Sequence, residues 1–423
     1  MDTNIGGFAA RRFVIAPKRR GKPMTADSTA VPSGAHGGRD DRKSAKIAAQ
    51  NLAPPPHARL IKSFGLAREI LRSPLSKQAG AGADQIVLDN PDHISFFFLD
   101  GDQHRKRRTA VANYFSTKTI VARYHTIMQR TMDSLIAHLK DKGEAKLDEL
   151  SFQMAVDVAS EILGLTNSGN NLALARRIRG ILELTDFQSR GLIKRLFCQM
   201  LLGIRAFNFT RKDLKPAVLA RQADPRDDVI SYMIKEKYSP KAMFIECLTY
   251  GSAGMLTTRE FIVMASWHLF DKEALRNRYL AGGEQDQFAI LEEILRLEPV
   301  ASLLHRRPVQ EIQSAKGNVA ANERVCISLR DANTDEAITG PCPYQLDPDR
   351  AKRVKMIGSY MSFGDGPHRC PGSQVALHET RIFLDRLFRV PGLRLKNEPN
   401  VTWNQQIQGY ELHGAVVAVD AGS

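Results

Sequence analysis

Apolar residues recur every three or four positions along most of the chain after about residue 58, and this spacing predicts a mainly helical protein. One such helix is predicted to stop near Gly143 and carries these apolar positions: Tyr124, Ile127, Met128, Met132, Leu135, Ile136 and Leu139. Another is predicted to begin at Ser239 and Pro240, a favourable N-cap followed by proline, and to run toward Phe270. At about 1.5 Å per residue, this second helix would be roughly 45 Å long and would cross the whole molecule.

The long helix contains two residues that weaken helices, Gly251 and Gly254. Each costs about 1 kcal/mol relative to alanine, so we expect another group to approach the backbone closely there. Short β-like runs at residues 324–329 and 415–419 predict small sheets. The pattern therefore predicts a mainly α fold with a small β region.

Residues 1–57 lack this periodicity and are rich in Gly, Pro, Ala, Ser and basic residues. This composition predicts a disordered basic N-terminal extension, followed by one domain over residues 58–423. The arginine-rich start leaves an organelle transit signal as the alternative interpretation.

The charge and cysteine content narrow the possible classes of protein. The net charge is +14, but the excess is not carried on a recognised nucleic-acid module, so we do not expect nucleic acid as a partner. No apolar run approaches the roughly 20 residues that a membrane span needs, which predicts a cytoplasmic protein without membrane insertion. The five cysteines include no Cys-x-x-Cys pair, which argues against a disulfide framework and against structural zinc.

The most specific feature is the stretch 363–372, Phe-Gly-Asp-Gly-Pro-His-Arg-Cys-Pro-Gly, which directly precedes an amphipathic helix. A cysteine at a helix N-terminus faces free backbone N–H groups, so we expect the pKa of Cys370 to be lowered and its thiolate to be a good metal ligand. The glycines allow close approach to a flat ligand, and His368 and Arg369 can donate to anionic groups. A buried, inert thiol is the alternative for a lone cysteine.

This loop resembles, in every specified position, the haem-binding signature of the cytochrome P450 family, Phe-Gly-x-Gly-x-His-x-Cys-x-Gly. The resemblance implies the P450 fold with a single haem-binding domain, and haem b (iron protoporphyrin IX) as cofactor with Cys370 as the axial ligand of the iron. It also implies that Phe363, Gly364, His368 and Gly372 bind the haem.

A buried ion-pair triad is the second feature that the resemblance implies. The family carries Glu-x-x-Arg on a helix before the cysteine loop, and Glu293 and Arg296 match this motif about 75 residues before the cysteine. Arg350 would complete the triad, with Arg353 as the alternative third member. A further Glu-x-x-Arg at residues 69–72 is disfavoured by its position.

Basic residues in two segments resemble those that bind the haem propionates in the family. His104 and Arg108 lie one helical turn apart, and Arg306 follows in a later segment. A solvated basic face is the alternative for the first pair. In the family, basic residues near the cysteine also receive an acidic ferredoxin.

Residues 253–258 on the long helix, Ala-Gly-Met-Leu-Thr-Thr, resemble the family's oxygen-binding segment, Ala-Gly-x-acid-Thr. The resemblance implies that Ala253 and Gly254 border the haem and that Thr257 steers protons. Leu256 departs from the pattern because it replaces the usual acid and cannot relay protons.

The nearest acid to this segment is Glu260, one turn after Leu256 and Thr257. It is the candidate to replace the missing catalytic acid. An ordinary surface glutamate paired with Arg259 or a neighbour is the alternative interpretation.

The resemblance implies a monooxygenase that inserts one oxygen atom of O₂ into a lipophilic small molecule. Its electrons would come from NAD(P)H through ferredoxin reductase and ferredoxin. Leu256 keeps two alternatives open, namely a peroxide-driven or otherwise atypical haem enzyme and a non-catalytic haem protein.

Overall fold

The computed structural model describes residues 39–55, 57–80, 95–184 and 192–420. The helices are α1 (Ala45–Asn51), α2 (Phe64–Arg72), α3 (Gly101–Val111), α4 (Thr117–Thr119), α5 (His125–Lys142), α6 (Leu147–Leu163), α7 (Asn171–Leu182), α8 (Leu192–Phe209), α9 (Lys215–Ala223), α10 (Val229–Lys235), α11 (Pro240–Asp271), α12 (Glu273–Ala281), α13 (Glu284–Leu297), α14 (Leu329–Ala332), α15 (Glu336–Thr339), α16 (Arg350–Arg353) and α17 (Ser373–Phe388). The strands are β1 (Arg59–Ile61), β2 (Ser76–Gln78), β3 (Glu144–Lys146), β4 (Leu303–Pro308), β5 (Val325–Ser328), β6 (Arg394–Asn397), β7 (Asn400–Asn404), β8 (Gly409–His413) and β9 (Val416–Ala418).

The two helices predicted in detail are both present. Helix α11 begins after Ser239, whose hydroxyl accepts a hydrogen bond from the backbone N–H of Ala242 at 3.2 Å. Its 32 residues span about 48 Å. Helix α5 ends at Gly143, which adopts a left-handed conformation with φ of +71°. Both predicted boundaries are confirmed.

The glycines of α11 allow two neighbouring helices to pack closely. A Cβ atom at Gly251 would lie 2.8 Å from Cδ1 of Ile178 in α7, and one at Gly254 would lie 3.4 Å from Cβ of Ala159 in α6. The groups that approach the α11 backbone at these glycines, as predicted from the sequence, are therefore side chains of other helices. Helix α11 continues through both glycines without a break.

The helical core forms around α11, which packs against α6, α7 and α17, while α5 packs against α6 and α17. The second half of α11 is buried on all sides from Thr258 to Leu269. Its length does not make α11 a membrane span, because no helix among the described residues is both long and apolar enough for that.

Small sheets flank the helices. The first sheet has the order β1-β5-β4-β2, in which β1 pairs parallel with β5 and the other pairs are antiparallel. The second has the order β3-β9-β6, and β7 and β8 form an antiparallel hairpin. Strands β5 and β9 coincide with the two predicted β-like runs. The mainly α fold with a small β region is confirmed.

The last part of the segment that we expected to be disordered packs against the helical body. Asp41 forms an ion pair with Lys272 at 2.7 Å, and the buried Ser44 donates its hydroxyl to the carboxylate of Glu298. A fully buried carboxylate requires donors, and this segment supplies them. The expected boundary at residue 57 is therefore too late, while residues 1–38 lie outside the described residues.

Candidate functional site

The loop before α17 is folded tightly by its glycines. The backbone N–H of Cys370 donates to the carbonyl oxygen of Phe363 at 2.8 Å, which closes the loop. Gly364 and Gly366 have φ angles of +71° and +68°, and a Cβ atom at Gly366 would overlap the carbonyl oxygen of Leu71. Gly372 is the N-cap of α17. The loop therefore presents Cys370 two residues before that cap.

The environment of the Cys370 thiol differs from the sequence-based expectation. Burial raises its pKa, and the Gly372 N–H, Arg108 and Arg369 lower it by a smaller amount, so that the net pKa is raised. The expected lowering is wrong because removal from water outweighs the N–H groups and the nearby positive charges. A bound metal would deprotonate the thiol in any case, since it competes directly with the proton.

Two arginines of α2 hold the outer side of the loop. Asp365 accepts hydrogen bonds from Arg72 Nε at 2.9 Å and from the N–H of Gly366 at 2.7 Å, and it forms an ion pair with Arg68 at 3.4 Å. Arg72 belongs to the disfavoured Glu-x-x-Arg at residues 69–72. Its glutamate, Glu69, instead lies 3.9 Å from a lysine, so this match does not form an internal ion pair.

Basic side chains from separate segments meet beside the loop. The rings of His104 and His368 have centroids 4.1 Å apart, and His368 Nε2 lies 3.0 Å from Asp100 Oδ1. Arg306 of β4 is buried, and burial lowers its pKa to about 10, opposed by the charge of Asp100. Arg108 donates to the carbonyl oxygen of Arg369. The structure thus brings together His104, Arg108, Arg306 and His368, four of the five basic residues that the sequence analysis proposed for anionic groups.

His104 shows what this cluster lacks. Its Nε2 atom is buried and has no hydrogen-bond partner among the residues that the structure describes. Its pKa is lowered to about 4 by burial, by His368 and by Arg108, with Asp100 opposing the shift. An anionic group would neutralise the positive charges that crowd this ring nitrogen and would satisfy its hydrogen bonding. The carboxylates of haem propionates are such groups.

The buried ion pairs of the predicted triad are present. Arg296 Nε lies 2.7 Å from Glu293 Oε2, and Arg350 Nε lies 3.3 Å from Glu293 Oε1. The three side chains are 0%, 3% and 2% exposed for Arg296, Arg350 and Glu293. Arg353, the alternative third member, instead pairs with Asp347 at the surface.

Asn333 links this triad to the cysteine loop. Its carbonyl oxygen accepts from Arg296 Nη1 at 3.0 Å, and its side chain bonds the N–H of Met361 at 2.9 Å and the hydroxyl of Ser362 at 2.8 Å. Residue 363 begins the loop. Asn333 belongs to no recognised motif, so the sequence analysis did not identify it.

On α11, Thr257 and Glu260, which the sequence analysis had grouped, bond to different partners. The Thr257 hydroxyl donates to the carbonyl oxygen of Ala253 at 2.6 Å. The carboxylate of Glu260 instead accepts from Arg259 Nη1 at 2.6 Å and from the N–H of Leu412 in β8 at 2.7 Å. Burial raises the pKa of Glu260 to about 8. The pairing with Arg259 is therefore present, but Glu260 is buried and not at the surface as expected, and its carboxylate is bonded to Arg259 and β8 rather than to Thr257.

Glu246 is an acid of α11 that the sequence analysis overlooked. It is buried, accepts from the Ser95 hydroxyl at 2.9 Å and the N–H of Phe96 at 3.2 Å, and lies 4.0 Å from Arg107. Burial raises its pKa to about 7. Residue 246 shares a helix face with Thr257, but the eleven-residue separation places it about 16 Å away along the axis.

Comparisons with known proteins agree with this geometry. The family model described as Cytochrome P450 matches residues 288–399. The steroid C26-monooxygenase of Mycolicibacterium smegmatis is 23% identical over 320 residues, which cover 74% of this chain and 76% of that protein. The erythromycin C-12 hydroxylase of Saccharopolyspora erythraea is 26% identical over 306 residues, covering 68% and 71%. The crystal structure of CalO2 superposes with a TM-score of 0.73 at 20% identity, covering 88% of this chain and 94% of that one.

The family match spans the triad and the cysteine loop, the curated relatives extend over most of the chain, and the fold is that of solved P450 structures. Haem is the cofactor that this family implies, and the relatives named above are oxygenating enzymes. Together these findings support membership of the chain in the cytochrome P450 superfamily, whose relatives named above are oxidoreductases of the monooxygenase class.

Proposed function

We propose that the protein inserts one oxygen atom of O₂ into a lipophilic small molecule, using electrons that a ferredoxin delivers from NAD(P)H through ferredoxin reductase. The observation that carries the proposal is the loop that presents Cys370 beside four basic side chains, one of which has an unsatisfied buried nitrogen. This arrangement suits a flat, anionic metal complex bound by a thiolate.

The roles of the residues follow from their chemistry. Cys370 would hold the haem iron as a thiolate, and His104, Arg108, Arg306 and His368 would hold the propionates. Phe363, Gly364 and Gly372 on the loop side, and Ala253 and Gly254 on the α11 side, would border the two faces of the haem. When bound, the haem supplies the activation of dioxygen.

Thr257 would hold and pass a proton at Oγ1. This hydroxyl already has an acceptor in the carbonyl oxygen of Ala253 at 2.6 Å, so its own lone pairs remain available to a second donor. Leu256 cannot be that donor. The buried Glu260 is engaged by Arg259 and Leu412, so the structure favours a water molecule as the donor.

The substrate and the electron donor are inferred from surfaces and from relatives. The relatives named above act on a steroid and on erythromycin, both of them lipophilic. Arg105 and Lys106 of α3 are exposed on the helix that carries Arg108, and such basic residues would attract an acidic ferredoxin.

A peroxide-driven oxidation is the second candidate. It is favoured by one observation, the leucine at position 256 where the family has an acid. Peroxide already carries the electrons and protons that the reductase route must deliver separately. Such an enzyme would therefore depend less on a proton donor beside Thr257.

The first test is the absorption spectrum of the reduced protein with carbon monoxide, compared with that of Cys370→Ala. We expect a strongly red-shifted Soret band in the parent that is absent from the variant. Identical spectra, or a parent without haem, would exclude thiolate ligation by Cys370. Turnover of a panel of lipophilic compounds with ferredoxin and reductase, and separately with hydrogen peroxide, then distinguishes the two candidates.

A further inference from the structure

The segment formed by α8 and the turn after it is strongly basic. Between residues 192 and 212 the chain has five basic residues and no Asp or Glu. The next acid, Asp213, is buried and forms an ion pair with Arg177 at 2.6 Å, so it does not offset the surface charge of this segment. Arg211 and Lys212 are exposed at its end. Arg205 donates to the carbonyl oxygen of Gly180 and lies 4.0 Å from Glu183, so Arg211 and Lys212 are the described side chains of this segment that offer positive charge to an anionic partner.

The same helix exposes a continuous apolar face. We call this set the α8 stripe, and its five side chains are between 49% and 63% exposed: Leu196, Phe197, Met200, Ile204 and Phe207. Spacings of three and four residues place them within about 100° of the helix circumference. Cys198 and Phe209, on the opposite face, are buried in the protein. The stripe is therefore a second apolar face on a helix whose first apolar face is already packed.

Contiguous exposed apolar patches often mark interaction sites, whereas apolar side chains exposed singly are ordinary. Because the side chains of the α8 stripe are about half exposed or more, they protrude from the helix and can enter a soft surface. A second copy of the chain would bring two basic helices together, which like-charge repulsion disfavours. An anionic lipid bilayer accepts both features, because its headgroups attract the basic residues and its acyl boundary accepts the apolar ones.

We propose that α8 binds peripherally to the surface of anionic membranes, with the α8 stripe at the boundary between headgroups and acyl chains. Arg211 and Lys212 then contact lipid phosphates beside it. The helix lies in the plane of the interface and does not cross the bilayer. This proposal is independent of the proposed oxidation chemistry.

The test is co-sedimentation of the full haem-loaded chain with vesicles of phosphatidylcholine, with and without phosphatidylglycerol. We expect binding only when phosphatidylglycerol is present, and a loss of affinity of about tenfold or more in the double variant Phe197→Ser, Phe207→Ser. Neither substitution changes the net charge, so basic residues elsewhere contribute equally to the parent and the variant.

The matched control is Val309→Ser, Ile357→Ser, which removes two apolar side chains that are 47% and 56% exposed away from the α8 stripe. It should bind as the parent does. A third variant, Arg211→Gln, Lys212→Gln, should weaken binding and reduce its dependence on salt. Unchanged haem absorption and circular dichroism verify that each variant is folded.

A spectroscopic measurement locates the contact. Phe207→Trp should gain emission that shifts to shorter wavelength with anionic vesicles and is quenched by brominated lipid, whereas Ile357→Trp should not. Equal vesicle affinity for the stripe and control variants would overturn the proposal. So would a concentration-dependent dimer, seen by sedimentation velocity, that the stripe variant abolishes while vesicle binding persists.

Discussion

The two sides of the candidate haem site hold their polar groups in different ways. On the cysteine side, the triad is almost completely buried, and Glu293 accepts hydrogen bonds from both arginines. Asn333 connects the triad to the start of the loop through its hydrogen bonds to Met361 and Ser362. On the α11 side, the Thr257 hydroxyl bonds to a carbonyl oxygen of its own helix and to no other group in the described part of the chain, and Leu256 offers no polar group.

This difference reflects what each side has to do. A metal ligand must stay at one distance, and buried charges that satisfy one another fix the backbone around it. A proton path needs groups that can change partners, and such groups cannot all be locked in buried ion pairs. We therefore expect substitutions on the cysteine side to affect stability, and those on the α11 side to affect turnover.

The largest expected effect is that of Glu293→Gln, which leaves Arg296 and Arg350 buried without their shared carboxylate. The free energy of unfolding should fall by about 3–5 kcal/mol, and haem should be lost more readily. Urea denaturation measures the first quantity and transfer of haem to apomyoglobin the second. The matched control is Glu69→Gln, the glutamate of the other Glu-x-x-Arg, which is 43% exposed and should change the stability by less than about 0.5 kcal/mol. Equal effects of the two substitutions would contradict the distinction.

Glu246→Gln should alter how stability depends on pH. The native pKa of about 7 lies above the ordinary value of 4.5, so the folded state retains a proton that the unfolded state releases. The contribution of this group to the free energy of unfolding is fully present below pH 4.5. It falls by about 3 kcal/mol in total as the pH rises through 7. Relative to the parent, the glutamine variant should therefore gain stability between pH 5 and pH 8. A difference that stays constant across this range would show that Glu246 ionises normally.

Leu256→Glu should increase the product formed per NAD(P)H consumed by about tenfold, because it supplies an acid next to Thr257. Leu256 is only partly buried, so the carboxylate can remain hydrated. Leu256→Gln is the control, since it has a similar shape but cannot donate a proton as an acid does. Peroxide-driven turnover should change little in either variant. Equal coupling in the two variants would show that the missing acid does not limit the reaction.

The smallest effect should come from Arg353→Gln. Arg353 is exposed and pairs with Asp347 rather than with Glu293. We expect no measurable change in stability or haem retention, whereas Arg350→Gln should destabilise the protein by about 3 kcal/mol. Thermal unfolding of the two variants side by side tests this. A large loss of stability in the Arg353 variant would indicate instead that Arg353 belongs to the triad.

The limits of the sequence are clearest in residues that lie far apart along the chain. The signature around Cys370 and the turn that joins Glu293 to Arg296 are local patterns, so they could be predicted. The sequence analysis preferred Arg350 but left Arg353 open, and it could not identify Asn333. Both questions depend on which face of a short segment packs inward. The pKa of Cys370 was predicted in the wrong direction for the same reason, since burial is a property of the packed molecule.

The sequence by itself determined the helical character, the long helix with its cap at Ser239, and the loop that presents Cys370. These features depend on neighbours within a few residues, where backbone geometry and side-chain spacing act directly. Only the tertiary structure decided that Glu260 joins β8, that Glu246 holds the segment at Ser95, and that α8 keeps a second apolar face exposed. Those outcomes depend on contacts between distant segments, which local periodicity does not encode.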